Sequence, residues 1–350
     1  MSLDDRSEIR KIDRSDMLGV MEKAFQRLMP PADAQTTCRI KTESPANLVF
    51  AGVGGSGIVG DVMADYCRNW IGVPVTVCRS THIPKFVGTS TFLVAISYSG
   101  ETRETIGMFE EAERKGAKLA VIASAGQLLN LAQKRSLPHL KITGGMIPRV
   151  ALPELVAATT YLLGEAGMLE DWRELLDSAA ASMRDVIERV GSAVLLASNP
   201  AKQMATALDS RLPLLIGSED NASVLRRFKN ELNENSKVPA IVNTLPEGCH
   251  DDVEGFQALQ HFSQTQPVVL RSESETEGER RVEETLVKVL SQLGFPPALF
   301  FNGSGKGRFE WLLSAITFGD FVSVYLALLR GIDPSNLSLI PTFRAIRGQV

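Results

Sequence analysis

Cysteine and histidine are scarce in this sequence, with four of each among 350 residues. None of Cys38, Cys67, Cys78 and Cys249 forms a C-x-x-C pair, and His82, His139, His250 and His261 make no H-E-x-x-H or similar grouping. That spacing argues against a structural metal and against a disulfide framework. A chain this long builds its core without covalent staples, so a reducing cytoplasm is the expected setting. A large charge excess is also missing: the formal net charge is −4, which gives no basic field for a polyanion and argues against a nucleic-acid partner. Small anionic substrates need only local charge and stay open. The amino-terminal stretch MSLDDRSEIRKIDRSD has no apolar h-region, so no secretory signal is expected. No apolar run reaches membrane-spanning length.

What is present is the composition of a globular protein, 44% hydrophobic and 22% charged, at a length whose ordinary division is two domains. From Leu48 onward short apolar runs alternate with helical stretches: LVFAG, VPVTVC, FLVAIS, KLAVIAS and HLKIT are separated by segments such as IVGDVMADYCRNW and ETIGMFEEAERKG. Strands apolar on both faces, alternating with helices, predict a parallel sheet covered on each side. Residues 151–193 carry helical periodicity and no strand signal, and read as a helical connector. Alternation then resumes through LPLLIGS, PAIVNTL, PVVLRS and ALFFNG, and ends in the long helix FEWLLSAITFGDFVSVYLALLRG. The expected architecture is therefore α/β with two domains, 1–150 with a leading helical segment and 194–350. Each is a mainly parallel sheet flanked by helices. The charged stretch Ser272–Arg280 reads as a solvated loop.

Two loops carry candidate chemistry. Gly52-Val-Gly-Gly-Ser-Gly57 follows a strand, opens a helix and satisfies G-x-G-x-x-G, a weak dinucleotide signal by itself. The usual acidic partner at the end of the second strand is absent, since that strand runs into Cys78-Arg79-Ser80, so only an NADP reading through Arg79 survives. The second loop, SYSGETRET, gathers Ser97, Ser99 and Thr102 around Gly100 where a strand feeds a helix N-terminus. Hydroxyls and unpaired N–H groups there suit a single phosphate. One hydroxyl alone would be read as a helix cap.

Together GVGGSG and SYSGETRET resemble the sugar isomerase (SIS) domain. The segments IPRVALPEL, RRFKNELNENSK, LPEGCHDDVEG and GDFVSVYLALLRGIDP resemble, in order, the bifunctional phosphoglucose/phosphomannose isomerase family. The resemblance implies aldose–ketose isomerisation of glucose 6-phosphate, and of mannose 6-phosphate, with fructose 6-phosphate through an enediol, with no metal or organic cofactor. It implies that Ser97, Ser99 and Thr102 bind phosphate and that Gly54, Gly55 and Ser56 border the sugar. Glu234 in the N-E-N segment would be the base, although a glutamate on a helix taken alone reads as solvated surface. His250 would open the ring, although alone it reads as a surface-loop histidine. Arg149 would steady the enediolate, with a phosphate clamp or an ordinary ion pair as the other readings. A cytoplasmic homodimer with no membrane or nucleic-acid partner is also implied, with His250 acting across its interface.

Two departures bear on specificity. Cys249 and Asp251 flank His250 where the family often has asparagines, and Asp251, if close, would raise the histidine pKa. Arg344 stands where the family carries a lysine after D-P, and an arginine does not give up its proton. Two other classes remain beside the isomerase: a non-catalytic phosphosugar sensor, which would need neither Glu234 nor His250, and the NADP enzyme relying on Arg79. An SIS isomerase for a different phosphosugar is a further alternative.

Overall fold

A computed structural model describes residues 2–30, 44–262, 264–272 and 275–348. Cys38, Glu273 and Ser274 lie outside the described residues, as does the side chain of His261. In chain order the elements are α1 (Arg6–Ile12), α2 (Met17–Met21), β1 (Asn47–Ala51), α3 (Gly55–Cys67), β2 (Val75–Cys78), β3 (Thr91–Ile96), α4 (Arg103–Arg114), β4 (Lys118–Ala123), α5 (Gly126–Lys134), β5 (His139–Lys141), α6 (Leu152–Glu165) and α7 (Trp172–Val190). They continue with α8 (Pro200–Leu208), β6 (Leu212–Ser218), α9 (Ala222–Glu231), β7 (Ile241–Leu245), α10 (Asp252–Phe262), β8 (Thr265–Arg271), α11 (Glu277–Gln292), β9 (Leu299–Asn302), α12 (Arg308–Leu329) and α13 (Leu339–Arg347).

Contacts divide the chain into two compact units, one of residues 23–183 and 305–312, the other of residues 1–22, 184–304 and 313–350. The first holds a five-stranded sheet ordered β2-β1-β3-β4-β5, the second a four-stranded sheet ordered β7-β6-β8-β9. Every strand pairing is parallel. The strand runs legible in the sequence are these strands, because a strand buried on both faces is apolar at nearly every position. All six residues of β3 are buried.

This division departs from the boundaries at 150 and 193. Helix α6, expected to be part of a connector, is buried over most of its length and packs on α3 in the first unit. Residues 1–22 join the second unit. There the buried Lys202 of α8 donates to Asp4 at 3.0 Å, and Glu22 accepts from the Ser192 N–H at 2.7 Å. The stretch expected as a loop from Ser272 is also shorter: Ser272 is buried and α11 has begun by Glu277.

The expectation about apolar runs needs a correction as well. Helix α12 is 22 residues long with mean hydropathy 1.9, which meets membrane-spanning length and composition, but 89% of that window is buried inside the protein. It is a core helix, since Leu312, Leu313, Phe321, Tyr325 and Leu328 are each at most 1% exposed. A helix apolar all round is a buried one. Nor is it the last helix: α13 follows and carries Arg344.

Candidate active site

In the first unit the two loops meet at the carboxyl end of the sheet. Ser56, in the first turn of α3, accepts from the Tyr98 N–H at 3.1 Å and so joins the glycine turn to the loop after β3. The glycines divide the labour. A Cβ on Gly52 would lie 2.9 Å from the Ile96 carbonyl oxygen of β3, so Gly52 serves close packing. A Cβ on Gly54 or Gly55 would meet nothing within 4 Å. The space above them is open, and Gly54, at φ 62°, needs its glycine for conformation.

The loop Ser97–Thr102 is held from several sides. Ser97, 1% exposed, accepts from the Gly100 N–H at 3.1 Å and donates to the Thr102 hydroxyl at 3.1 Å. Ser99 is exposed, and its hydroxyl accepts from the Glu101 N–H at 3.2 Å. Thr102 occupies the N-cap of α4, yet its side chain makes no capping bond to the helix. The helix therefore keeps its N-terminal N–H groups and its positive dipole end without a hydroxyl cap.

Sequence reasoning missed the residues that brace this loop. The Ser124 hydroxyl donates to the Tyr98 carbonyl at 2.6 Å, the Tyr98 hydroxyl accepts from the Met146 N–H at 2.8 Å, and Glu101 accepts from the Gln127 N–H at 2.9 Å at the start of α5. The glutamate of S-G-E-T thus caps a neighbouring helix, a role that no spacing within the loop announces. Arg149 lies in the 3-10 turn Pro148–Ala151 and is 4% exposed, so it is no surface residue. Arg79 pairs with Asp61 of α3 and its Nη2 donates to the Gly57 carbonyl at 3.4 Å. Asp61 is only 8% exposed and depends on that cation, so the anchor needed for a 2′-phosphate is committed within the fold.

In the second unit Glu234 sits in a π-helical turn, Leu232–Ser236, that ends α9. Such turns are rare and concentrate at functional sites. The turn closes on Lys237 in the left-handed region, φ 58°, whose ammonium donates to the Glu234 carbonyl and to that of Asn336. The lysine near Glu234 in sequence therefore bonds its backbone. Beneath the turn, Arg227 grips Asp320 of α12 and Glu231 of α9. Burial works against the Arg227 charge, but the two carboxylates outweigh it and hold the guanidinium above its ordinary pKa.

His250 follows the 3-10 turn Glu247–Cys249 after β7 and is exposed. Its N–H donates to the Glu247 carbonyl at 2.7 Å. Burial pushes the Cys249 thiol up, so that flank is a neutral thiol at ordinary pH. The carboxylate of the other flank, Asp251, accepts from the Asp252 N–H at 2.5 Å. Arg344 is exposed on α13. Within their own units, then, the structure brings the glycine turn and the S-x-S-G-x-T loop together and puts Glu234 on a braced turn.

Comparison with known proteins finds similar chains and folds. Residues 197–346 match the bacterial phospho-glucose isomerase C-terminal SIS domain. The chain is 29% identical over 302 residues to a bifunctional phosphoglucose/phosphomannose isomerase of Caldicellulosiruptor bescii, covering 86% of this chain and 89% of the relative. Over most of its length the chain is similar to bifunctional phosphoglucose/phosphomannose isomerases, and its residues 197–346 to their type of SIS domain. A D-glucosamine-6-phosphate 4-epimerase of Sulfolobus acidocaldarius is 28% identical over 85% of the chain and 88% of its own length. Among solved structures, a hypothetical protein of Thermus thermophilus superposes with a TM-score of 0.73 at 16% identity, covering 98% of this chain and 93% of that one, which supports the fold.

Proposed function

We propose that the protein is an aldose–ketose isomerase that interconverts glucose 6-phosphate and mannose 6-phosphate with fructose 6-phosphate. The observation that carries the reading is the loop Ser97–Thr102: hydroxyls beside the N-terminus of α4, whose N-cap threonine does not cap it, joined through Ser56 to a glycine turn with open space above it. That arrangement suits the phosphate and near edge of one phosphosugar. Ser97, Ser99 and Thr102 hold the phosphate, and Gly54, Gly55 and Ser56 border the sugar. His250 protonates the ring oxygen while accepting the C1 hydroxyl proton, which opens the ring. Glu234 takes the proton from C2 of the aldose, and the same carboxyl returns it to C1 of the enediol. Arg149 steadies the developing enediolate charge, and Arg344 orients the substrate. Rotation about C2–C3 of the open enediol lets one base serve both epimers.

No step needs a metal or organic cofactor. The free thiols of Cys67, Cys78 and Cys249 suit a reducing cytoplasm. A homodimer is part of the reading, with His250 reaching the substrate of the partner.

The epimerase among the relatives favours a second reading in which the same cradle takes an amino-sugar phosphate. Both are tested by incubating EDTA-treated protein with fructose 6-phosphate and following glucose 6-phosphate and mannose 6-phosphate separately, then repeating with glucosamine 6-phosphate. Formation of both hexose phosphates is expected. If neither forms and the amino sugar is epimerised, the second reading replaces the first. Substitution Glu234→Ala is expected to lower isomerase turnover by between about 100- and 10,000-fold, and a variant with wild-type turnover removes the base assignment.

A further inference from the structure

The proposed base sits on a turn whose geometry is specified from below by a closed hydrogen-bonded ring, buried except at Asp320. Arg227, with its side chain 3% exposed, donates from Nε to Asp320 Oδ1 at 2.9 Å and from Nη2 to Asp320 Oδ2 at 2.8 Å, a bidentate fork, while its Nη1 lies 2.8 Å from Glu231 Oε1. The second oxygen of Glu231 accepts from Asn235 Nδ2 at 3.0 Å. Asn235 Nδ2 also donates to the Ser323 hydroxyl at 2.8 Å, and that hydroxyl donates to the Asp320 carbonyl at 2.7 Å. The ring runs from α9 to α12, into the π turn at Asn235, and back to α9. Asn235 is the residue beside Glu234, and Glu231, Asn235 and Ser323 are each at most 1% exposed.

Stability does not account for such a ring, because a buried ion pair returns little more than its desolvation costs and well-packed apolar groups of the same volume often do better. What a fork with three fixed acceptors supplies is geometry. A π-helical turn contains one more residue than the α-helical path, so it persists only where its surroundings over-determine it. Here the over-determination falls on Asn235, one residue from the carboxylate whose aim matters.

We propose that Arg227 is a positioning residue for proton transfer: through Asp320, Glu231, Ser323 and Asn235 it holds the π turn so that the Glu234 carboxylate is directed along the C1–C2 edge of the open sugar. This rests on the reading of Glu234 as the base. None of the ring members is assigned a substrate contact in this reading.

Two variants test it, Arg227→Lys, which keeps the charge and loses the fork, and Ser323→Ala, a smaller change that removes one link. Each is compared with wild type for kcat and KM with glucose 6-phosphate, and for the kinetic isotope effect with substrate deuterated at C2. A misaimed base makes C–H cleavage slower relative to binding, release and ring opening, so the observed isotope effect grows, whereas loss of folded protein lowers apparent kcat and leaves the isotope effect alone. The expected result for Arg227→Lys is a kcat about 10- to 100-fold lower with a larger isotope effect and KM within about twofold of wild type, and a smaller shift in the same direction for Ser323→Ala. An isotope effect equal to wild type in the folded variants overturns the proposal. If Arg227→Lys does not fold, Ser323→Ala decides alone. Glu234→Gln run in parallel separates the two failures: retained turnover there sinks the base assignment and the positioning role with it, while an inactive Glu234→Gln beside unmoved isotope effects sinks the positioning role only.

Discussion

Two strand-to-helix junctions, β3 to α4 in the first unit and β8 to α11 in the second, hold equivalent places in their sheets, each strand lying beside the first strand of its unit. Both helices have threonine at the N-cap, Thr102 and Thr276. There the likeness ends. Thr276 accepts from the Glu279 N–H at 3.2 Å, and Glu279 accepts from the Thr276 N–H at 2.8 Å, a complete capping box that sets the chain's own carboxylate at the helix N-terminus. Thr102 pairs with Ser97 and leaves α4 without a side-chain cap. Beside α11 is a cavity of about 320 Å³ lined by Leu245, Pro246 and Val282 together with Glu275, Glu279 and Glu283, a lining that offers a phosphate no cation. One fold element thus carries its own carboxylate at the helix N-terminus in one unit and leaves that N-terminus without a side-chain cap in the other, where the proposed phosphate site lies.

The comparison breaks most strongly at Gly100. Its φ is 68°, and a Cβ there would collide with the Ala125 carbonyl oxygen, so Gly100→Ala displaces the loop between Ser97 and α5. Isomerase kcat/KM is expected to fall by about 100-fold or more, and the rise in Tm produced by fructose 6-phosphate is expected to vanish. Retention of both would show that the loop does not hold the phosphate. The matching change in the other unit should affect stability and leave the chemistry alone. Thr276→Ala removes the cap of α11 at a cost of about 1 kcal/mol, a fall of about 2–4 °C in Tm, with KM unchanged. A KM for fructose 6-phosphate that rises several-fold would contradict this separation of roles.

The smallest effect sharpens the charge side of the comparison. Burial raises the Glu275 carboxyl above the usual carboxylate range, with Glu283 nearby adding to it. A group with a raised folded pKa favours the folded state below its unfolded pKa and loses that contribution as pH rises through the folded value. At neutral pH the ionised Glu275 therefore weakens the second unit, and Glu275→Gln is expected to raise Tm by about 1 °C at pH 7, with the difference shrinking as pH falls below the carboxylate range. An equal or larger gain at acidic pH would show that its charge is not the cause.

Much of this was legible before any coordinates. The central strands announced themselves because burial on both faces leaves few polar positions, and the hydroxyl-rich loop stood out because three hydroxyls around a glycine are more than a cap requires. The helices α8, α10 and α13 were passed over. Each is short, at 9, 11 and 9 residues, and periodicity says little over two or three turns. The boundaries at 150 and 193 were drawn from a change in pattern, which records where strands stop and not which sheet a helix covers. The N-E-N segment was found by its resemblance, but its π turn was not, because the register of a helical turn depends on what braces it.

Amino-acid order alone determined that the chain would build two parallel sheets and where each sheet's carboxyl end would carry polar loops, since those facts follow from local alternation of apolar and polar residues. Only the tertiary structure decided which helix N-terminus is capped by its own side chains and which is not, and that Arg227 meets Asp320, 93 positions away. The reason is physical. Strand and helix patterns are written in neighbours a few residues apart, whereas a buried charge finds its partner only when the path of the whole chain brings the two together out of water.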